Sequence, residues 1–277
     1  MTRTAISPRL AIRIFWSTSA NVGAVDSRGD IWGDDPARGG WPTRWDVRHV
    51  AETGSTNADL LALVEAGDAG DRTVLLADHQ TAGRGRLDRP WDAPRGANLL
   101  VSIAVAPVPS PPSEATHRIG LAALAAVRSM RPDLGVSLKW PNDVLVDGRK
   151  LAGILAQRAS AADAVVVGLG LNVGWAPEGA AALDVDGSPA DVLRLVLSAL
   201  DELPADVAAA YRSELSTLGR RVRVELPGGA VAFGTAIDLD DDGRLVVEAS
   251  DGTITSYGVG DIVHLRPGDC DHGDHIV

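Results

Sequence analysis

Two lysines, Lys139 and Lys150, are the only ones among the 26 basic residues of this chain, and twelve positions contain them both: Lys139-Trp140-Pro141-Asn142-Asp143-Val144-Leu145-Val146-Asp147-Gly148-Arg149-Lys150. Arginine and lysine serve equally on a solvated surface. They are not equivalent in a confined site, where a compact ammonium meets a phosphate or carboxylate as a point charge. Two rare residues can also cluster by chance, so the neighbours must decide. The densest of these is Gln80-Thr81-Ala82-Gly83-Arg84-Gly85-Arg86-Leu87-Asp88-Arg89-Pro90-Trp91. Gly83 and Gly85 permit positive φ and close backbone approach, so that N–H groups could converge on an acceptor. Arg84, Arg86 and Arg89 carry forked donors that match phosphate oxygens, and Trp91 offers a flat face for a purine. A solvated basic loop and an RNA-binding segment are the competing readings. The loop is neither a Walker A sequence nor a Rossmann fingerprint.

Amides gather at the same places. Of five asparagines, Asn57, Asn98, Asn142 and Asn172 stand at turns or strand ends near these motifs. Asn172 closes Gly168-Leu169-Gly170-Leu171-Asn172-Val173, whose glycines would leave room for a ligand against a sheet. Each asparagine alone reads as ordinary turn chemistry.

The elements that must position these residues follow from periodicity. Residues 46–51 alternate like a strand, and Ser55-Thr56-Asn57 precedes a helix with a Ser or Thr cap. Strands are expected over 73–77 and 98–106, with a long Gly/Arg/Pro loop over 80–97 between them, and an Ala-rich helix over 114–131. Four apolar stretches (136–140, 143–146, 151–157 and 164–170), with a turn at Asp147-Gly148, predict neighbouring antiparallel strands. Residues 191–218 read as one or two helices interrupted at Pro204. Past Gly219, five short strands separated by Gly-rich turns indicate a small β-barrel. The expected organisation is a poorly ordered extension over 1–43, a catalytic domain over 44–218, the barrel over 219–266 and a polar tail over 267–277.

Composition limits the function classes. A net charge of −11 argues against a nucleic-acid-binding surface as the main business. The single cysteine, Cys270, excludes an internal disulfide framework. Cys270, His272 and His275 read as part of a solvated tail rather than as metal ligands. No apolar run reaches membrane-spanning length, and Arg13 interrupts the short apolar stretch near the start. A cytoplasmic setting is expected.

The motifs Gly54-Ser55-Thr56-Asn57, Gln80–Trp91, Lys139–Asp143, Gly148–Gly153 and Gly168–Val173 come in the order and approximate spacing of the biotin protein ligases, which this sequence resembles from Trp45 to Val173 and, with the barrel, to about Arg266. The resemblance implies an α+β fold: a catalytic domain related to class II aminoacyl-tRNA synthetases, with a mixed, largely antiparallel sheet, and a small SH3-like C-terminal barrel. It also implies ATP-dependent attachment of biotin to a lysine of a biotin carboxyl carrier domain through biotinyl-adenylate, with Mg²⁺. The DNA-binding module of some members is not visible, and neither DNA nor a membrane is an expected partner. Residue by residue, the resemblance assigns Ser55, Thr56, Asn57 and Gln80 to the ureido end of biotin, closed over by the backbone at Arg84, Gly85 and Arg86. Lys150 would stand near the carboxylate and the reacting phosphate. Trp91, Asn142 and Asn172 would hold the adenylate portion, and Arg86 and Arg89 the phosphates. Lys139 and Asp143 would form a charged floor, with Asp143 orienting a lysine or helping to bind Mg²⁺. Leu87-Asp88 departs from the commonest form of the basic loop and lowers its positive charge. Lipoate–protein ligase or octanoyltransferase, related in fold, and a ligand-responsive nucleic-acid regulator are the alternatives.

Overall fold

The computed structural model describes residues 41–258 and 260–265. Expectations placed on residues 1–40, and on the tail with Cys270, His272 and His275, lie outside these residues. The chain alternates strands and helices in the order β1 (Asp46–Val50), α1 (Thr56–Ala66), β2 (Thr73–Ala77), β3 (Leu99–Val105), α2 (Glu114–Met130), β4 (Val136–Lys139), β5 (Asp143–Val146), β6 (Arg149–Arg158), β7 (Val165–Leu171), α3 (Pro189–Glu202) and α4 (Ala208–Glu214). Five short strands follow: β8 (Arg221–Glu225), β9 (Val231–Leu239), β10 (Leu245–Glu248), β11 (Ile254–Tyr257) and β12 (Asp261–His264).

The first seven strands form one sheet in the order β1-β2-β3-β7-β6-β5-β4. Only β1 and β2 run parallel; every other neighbouring pair is antiparallel. This is the mixed, largely antiparallel α+β sheet that the resemblance implies, and the four apolar stretches over 136–170 pair as antiparallel neighbours, as their spacing predicts. The strand over 73–77 and the helix start at Glu114 fall where expected, and the β5–β6 hairpin turns through Asp147 and Gly148, both at positive φ, as a tight two-residue connection requires.

Runs such as Val74–Ala77 and Leu99–Ala104 lack alternation because both faces of the sheet are covered. On one face Val74, Leu76, Val101, Ile103, Val167 and Leu169 join a core built with α2 and α3. On the other, Leu75, Ala104 and Val166 meet Leu60 and Val64 of α1, one helical turn apart on a single stripe. That second cluster is much smaller, because part of its face is given over to a cavity.

Residue 219 was the expected domain boundary, and a separate five-stranded antiparallel sheet, β11-β10-β9-β8-β12, does begin there. Its apolar side, however, is continuous with the main core: Val222, Val224, Leu239, Leu245 and Ile262 belong to the same cluster as the α2 face. Polar ties reinforce the junction. Trp140, 3% exposed, donates its indole N–H to the carbonyl of Gly243 at 3.0 Å and its backbone N–H to Oγ1 of Thr217 at 3.1 Å. Nε2 of His264 lies 3.2 Å from the same hydroxyl, which has a proton to give once it has accepted from Trp140. Among the described residues no helix is long and apolar enough to cross a membrane.

His117 lies in this body with its ring stacked on Tyr211, centroids 3.8 Å apart, and burial, with the nearby Arg212 cation, pushes it down to about 4. His264 is also pushed down to about 4, by burial first and then by Lys139 and Arg220. Above pH 6.5 both imidazoles are neutral in folded and unfolded chains alike. Between 6.5 and 4 the unfolded chain takes up protons that the folded chain refuses, so stability falls as pH is lowered and levels off below about 4. His117→Phe, which keeps the stack, should remove up to about 3 kcal/mol of that acid-side loss; urea denaturation at pH 7 and at pH 4.5 measures it, and an unchanged difference would refute it.

Candidate functional site

The site is built over a sheet face that lacks side chains. Gly168 and Gly170 are two residues apart on β7, and Gly153 pairs with Gly170 from β6. A Cβ at Gly168 would lie 2.5 Å from Oδ1 of Asn57, and one at Gly170 only 2.4 Å from Cε2 of Trp91. The glycines therefore admit an amide and an indole directly onto the backbone of the sheet.

A cavity of about 270 Å³ opens there. Its lining includes Ser55, Thr56, Asn57 and Gln80 at one end and Arg86, Arg89, Asn142, Asp143, Lys150 and Asp261 at the other. Arg84, Gly85, Trp91 and Asn172 also line it. The structure thus brings together every residue expected in the site except Lys139, which is not in the lining. Lys139 shares the face of β4 with Ser137, opposite buried Leu138, and its charge is felt at His264. Across the β4–β5 pair Lys139 stands opposite Asp143 and shares its sheet face, but on the edge strand beyond β5.

At the polar end, Ser55 occupies the N-cap of α1 without a side-chain bond. The expected Ser or Thr cap is replaced by a distant amide: Oε1 of Gln80 accepts from the backbone N–H of Thr56 at 2.8 Å. Asn57, 6% exposed, donates to the carbonyl of Leu155 at 3.0 Å and to Oε1 of Gln157 at 2.9 Å. Ser102 on β3, fully buried, contacts both Thr56 and Asn57. Ser102 and Gln157 were missed in the sequence. The one available signal was a serine at the centre of an otherwise apolar strand.

At the charged end each cation has a carboxylate. Lys150 Nζ lies 2.6 Å from Oδ1 of Asp143 across the β5–β6 hairpin, an ion pair rather than an aligned hydrogen bond, and 5.6 Å from the centre of the Trp91 ring. Arg86 donates to the carbonyl of Gly260 at 3.2 Å and reaches Oδ1 of Asp261 at 3.5 Å, while Arg89 pairs with the other oxygen of Asp261. Burial lowers the Arg86 pKa, opposed by Asp261 and Asp143 and reinforced by Arg89; a guanidinium there stays charged. Asp261 belongs to β12, 175 positions from Arg86, and sequence proximity could not suggest it.

The loop carrying the arginines is a small hairpin. Gly85 donates to Arg89 at 2.7 Å and Trp91 to Gly83 at 3.0 Å. Positive φ, expected at Gly83 and Gly85, falls instead on Leu87 and Asp88 at 54° and 55°. Gly83 is needed for proximity, since a Cβ there would come within 2.4 Å of the Trp91 carbonyl. Asn98 and Asn172 are engaged with each other and with backbone: Asn98 donates to Asn172 at 3.2 Å, and Asn172 to the carbonyl of Ala181 at 3.0 Å. Trp91 Nε1 is buried with no partner among the described residues.

Comparison with known proteins agrees with this geometry. Residues 52–172 match the Biotin/lipoate A/B protein ligase family, and residues 217–265 match the Biotin protein ligase C terminal domain. A Biotin–[acetyl-CoA-carboxylase] ligase of Mycobacterium tuberculosis is 45% identical over 78% of this chain and 88% of the relative. The corresponding ligase of Paracoccus denitrificans is 32% identical over 73% of this chain and 94% of its own length. A bifunctional ligase/repressor of Bacillus subtilis is 29% identical, and the chain spans 66% of that protein. Among solved structures, the biotin protein ligase of Aquifex aeolicus in complex with biotin and ATP superposes with a TM-score of 0.66 at 26% identity, covering 80% of this chain and 99% of that one.

The bare strip predicts a specific cost. In Gly170→Ala the strand is held on both sides by β3 and β6, so the Trp91 ring must move. Denaturant unfolding should show a loss of about 1–3 kcal/mol, the usual cost of overpacking; wild-type stability would mean that the indole does not rest on this glycine.

Proposed function

Since this chain belongs to the biotin protein ligase family, we propose that the cavity over β6 and β7 binds biotin and ATP together and joins them. The chain is an ATP-dependent ligase that attaches biotin to the lysine of a carrier protein through biotinyl-adenylate. One observation carries the assignment to this cavity: a polar amide-and-hydroxyl end and a cationic end lie within a single small enclosure, as a neutral head and an anionic tail on one ligand require.

In the first half-reaction a carboxylate oxygen of biotin attacks the α-phosphorus of ATP and the bond to pyrophosphate breaks. Two anions must approach, and charge builds on phosphoryl oxygens. Fixed cations therefore do more than a protein nucleophile could. Lys150, Arg86 and Arg89 are the cations at hand. Asp143 holds the Lys150 ammonium at the cavity wall, and Asp261 holds both guanidinium groups until phosphate oxygens take its place. In the second half-reaction the acceptor amine attacks the carbonyl of the mixed anhydride and AMP leaves. Trp91, whose buried N–H lies against Gly170, presents its outer ring face to the ligand.

Magnesium fits this donor set in a limited way. Among the described residues no group of three or more His, Cys, Asp or Glu side chains could hold a metal ion, and Asp143 is already paired with Lys150. Mg²⁺ keeps several waters and binds through one or two carboxylates plus substrate phosphates. It would therefore arrive with the nucleotide, Asp143 adding at most one oxygen, and would neutralise phosphate charge. The acceptor would be a biotin carboxyl carrier domain of a biotin-dependent carboxylase.

Incubation with ATP, Mg²⁺ and either biotin or lipoate, followed by mass spectrometry, tests the assignment. Biotinyl-adenylate should form and lipoyl-adenylate should not; the reverse would sink it. Lys150→Arg should fold normally and lose adenylate formation on the order of 10²–10³-fold, because a planar fork cannot occupy the position of a compact ammonium against Asp143. Near wild-type turnover would remove Lys150 from the reaction.

A further inference from the structure

Ser102 does not line the cavity, yet it stands between two residues that do. It occupies the middle of β3, in register with Leu75 on β2 and Gly168 on β7, and is 0% exposed. Its Oγ lies 2.6 Å from Oδ1 of Asn57 and 2.8 Å from Oγ1 of Thr56; Thr56 Oγ1 in turn lies 3.0 Å from Oε1 of Gln80. Both amide orientations are fixed independently of these contacts. Asn57 must turn its nitrogen to the Leu155 carbonyl, and Gln80 must turn its oxygen to the Thr56 N–H.

The four groups therefore form a row with an acceptor at each end and two hydroxyls between. Three oxygen–oxygen contacts share two protons, so one contact has none. Placing the Ser102 proton on the shortest contact, to Asn57, and the Thr56 proton on the next shortest, to Ser102, is the arrangement the distances favour. The unsatisfied contact is then the one between Thr56 and Gln80, both of which face the cavity.

We infer that Ser102 is a positioning residue that sets the direction of this row, and thereby leaves Thr56 Oγ1 and Gln80 Oε1 as a paired acceptor requiring an N–H from the ligand. The inference rests on the reading of this cavity as the biotin site, and it supplies a physical basis for choosing a cyclic urea over an acyl group whose far end has no donor. A lipoyl ring or an octanoyl chain would leave two buried acceptors facing each other, a mismatch that a donor-reading site penalises heavily. With Ala at position 102 the Thr56 hydroxyl turns to Gln80 instead, and the acceptor pair is lost.

The test is a thermodynamic cycle of two proteins and two ligands, wild type and Ser102→Ala against biotin and a biotin analogue N-methylated on the ureido ring, read by titration calorimetry. Biotin should bind the variant about ten- to a hundredfold more weakly. Methylation should cost the variant less than it costs the wild type, and the KM for ATP should stay within about twofold. Ser102→Cys, similar in size with a weak donor, should fall between and guards against a variant that merely misfolds. Equal methylation costs in the two proteins would overturn the inference while leaving the biotin site intact. Loss spread equally over biotin and ATP would overturn it as structural damage. A wild type that does not bind biotin would remove the reading of the cavity itself.

Discussion

Side chains are missing from a strip of the sheet at Gly153, Gly168 and Gly170, and nearly every feature of the site follows from what occupies that gap. Asn57 reaches down from α1 and Trp91 leans in from the arginine loop, each touching backbone where other strands would carry Val or Leu. The amide of Asn57, brought so deep, finds its partners within the protein. Those partners, Ser102, Gln157 and the carbonyl of Leu155, all come from the strands alongside. The same sheet therefore forms the floor of the cavity and supplies the groups that hold its walls.

Charge imposes a second constraint. Gathering Lys150, Arg86 and Arg89 around one small volume is unfavourable without counter-ions, and the fold supplies two from separate places. Asp143 comes from the strand next to Lys150, whereas Asp261 comes from the edge of the C-terminal sheet. On the proposed function, an incoming phosphate would exchange one set of negative partners for another instead of entering an empty cationic well. The loop and the C-terminal sheet are thus linked through the Asp261 carboxylate and the Gly260 carbonyl.

The sequence made the contents of the site legible and its scaffolding only partly so. Local signals sufficed wherever a residue's role depends on its own segment: the Gly/Arg loop, the glycines of β7 and the hairpin that sets Lys150 against Asp143. Roles that depend on strands meeting across the sheet left no such trace. Ser102 is one polar residue in an apolar run, Asp261 lies far along the chain, and the cap of α1 comes from Gln80 rather than from its own serine. Lys139 shows the converse. It stands beside Trp140 in a chemically suggestive segment and pairs across the strands with Asp143, but it sits on the sheet's edge strand, outside the cavity lining, where its charge is felt at His264. At Gly219 the local pattern changes and a separate sheet follows, yet the two sheets share one apolar core.

That shared core sorts the turns of the C-terminal sheet into two kinds. Gly243 is pressed against the body: its carbonyl holds the Trp140 indole, and a Cβ there would lie 2.5 Å from Oγ of Ser113. Gly228, Gly229 and Gly252 have nothing within 4 Å of the same position. A peptide tag, a fluorophore or an inserted domain is therefore accommodated at the β8–β9 or β10–β11 turn, where the added chain grows into solvent. The β9–β10 turn, although its sequence looks equally permissive, is a seam of the molecule and closes to such additions.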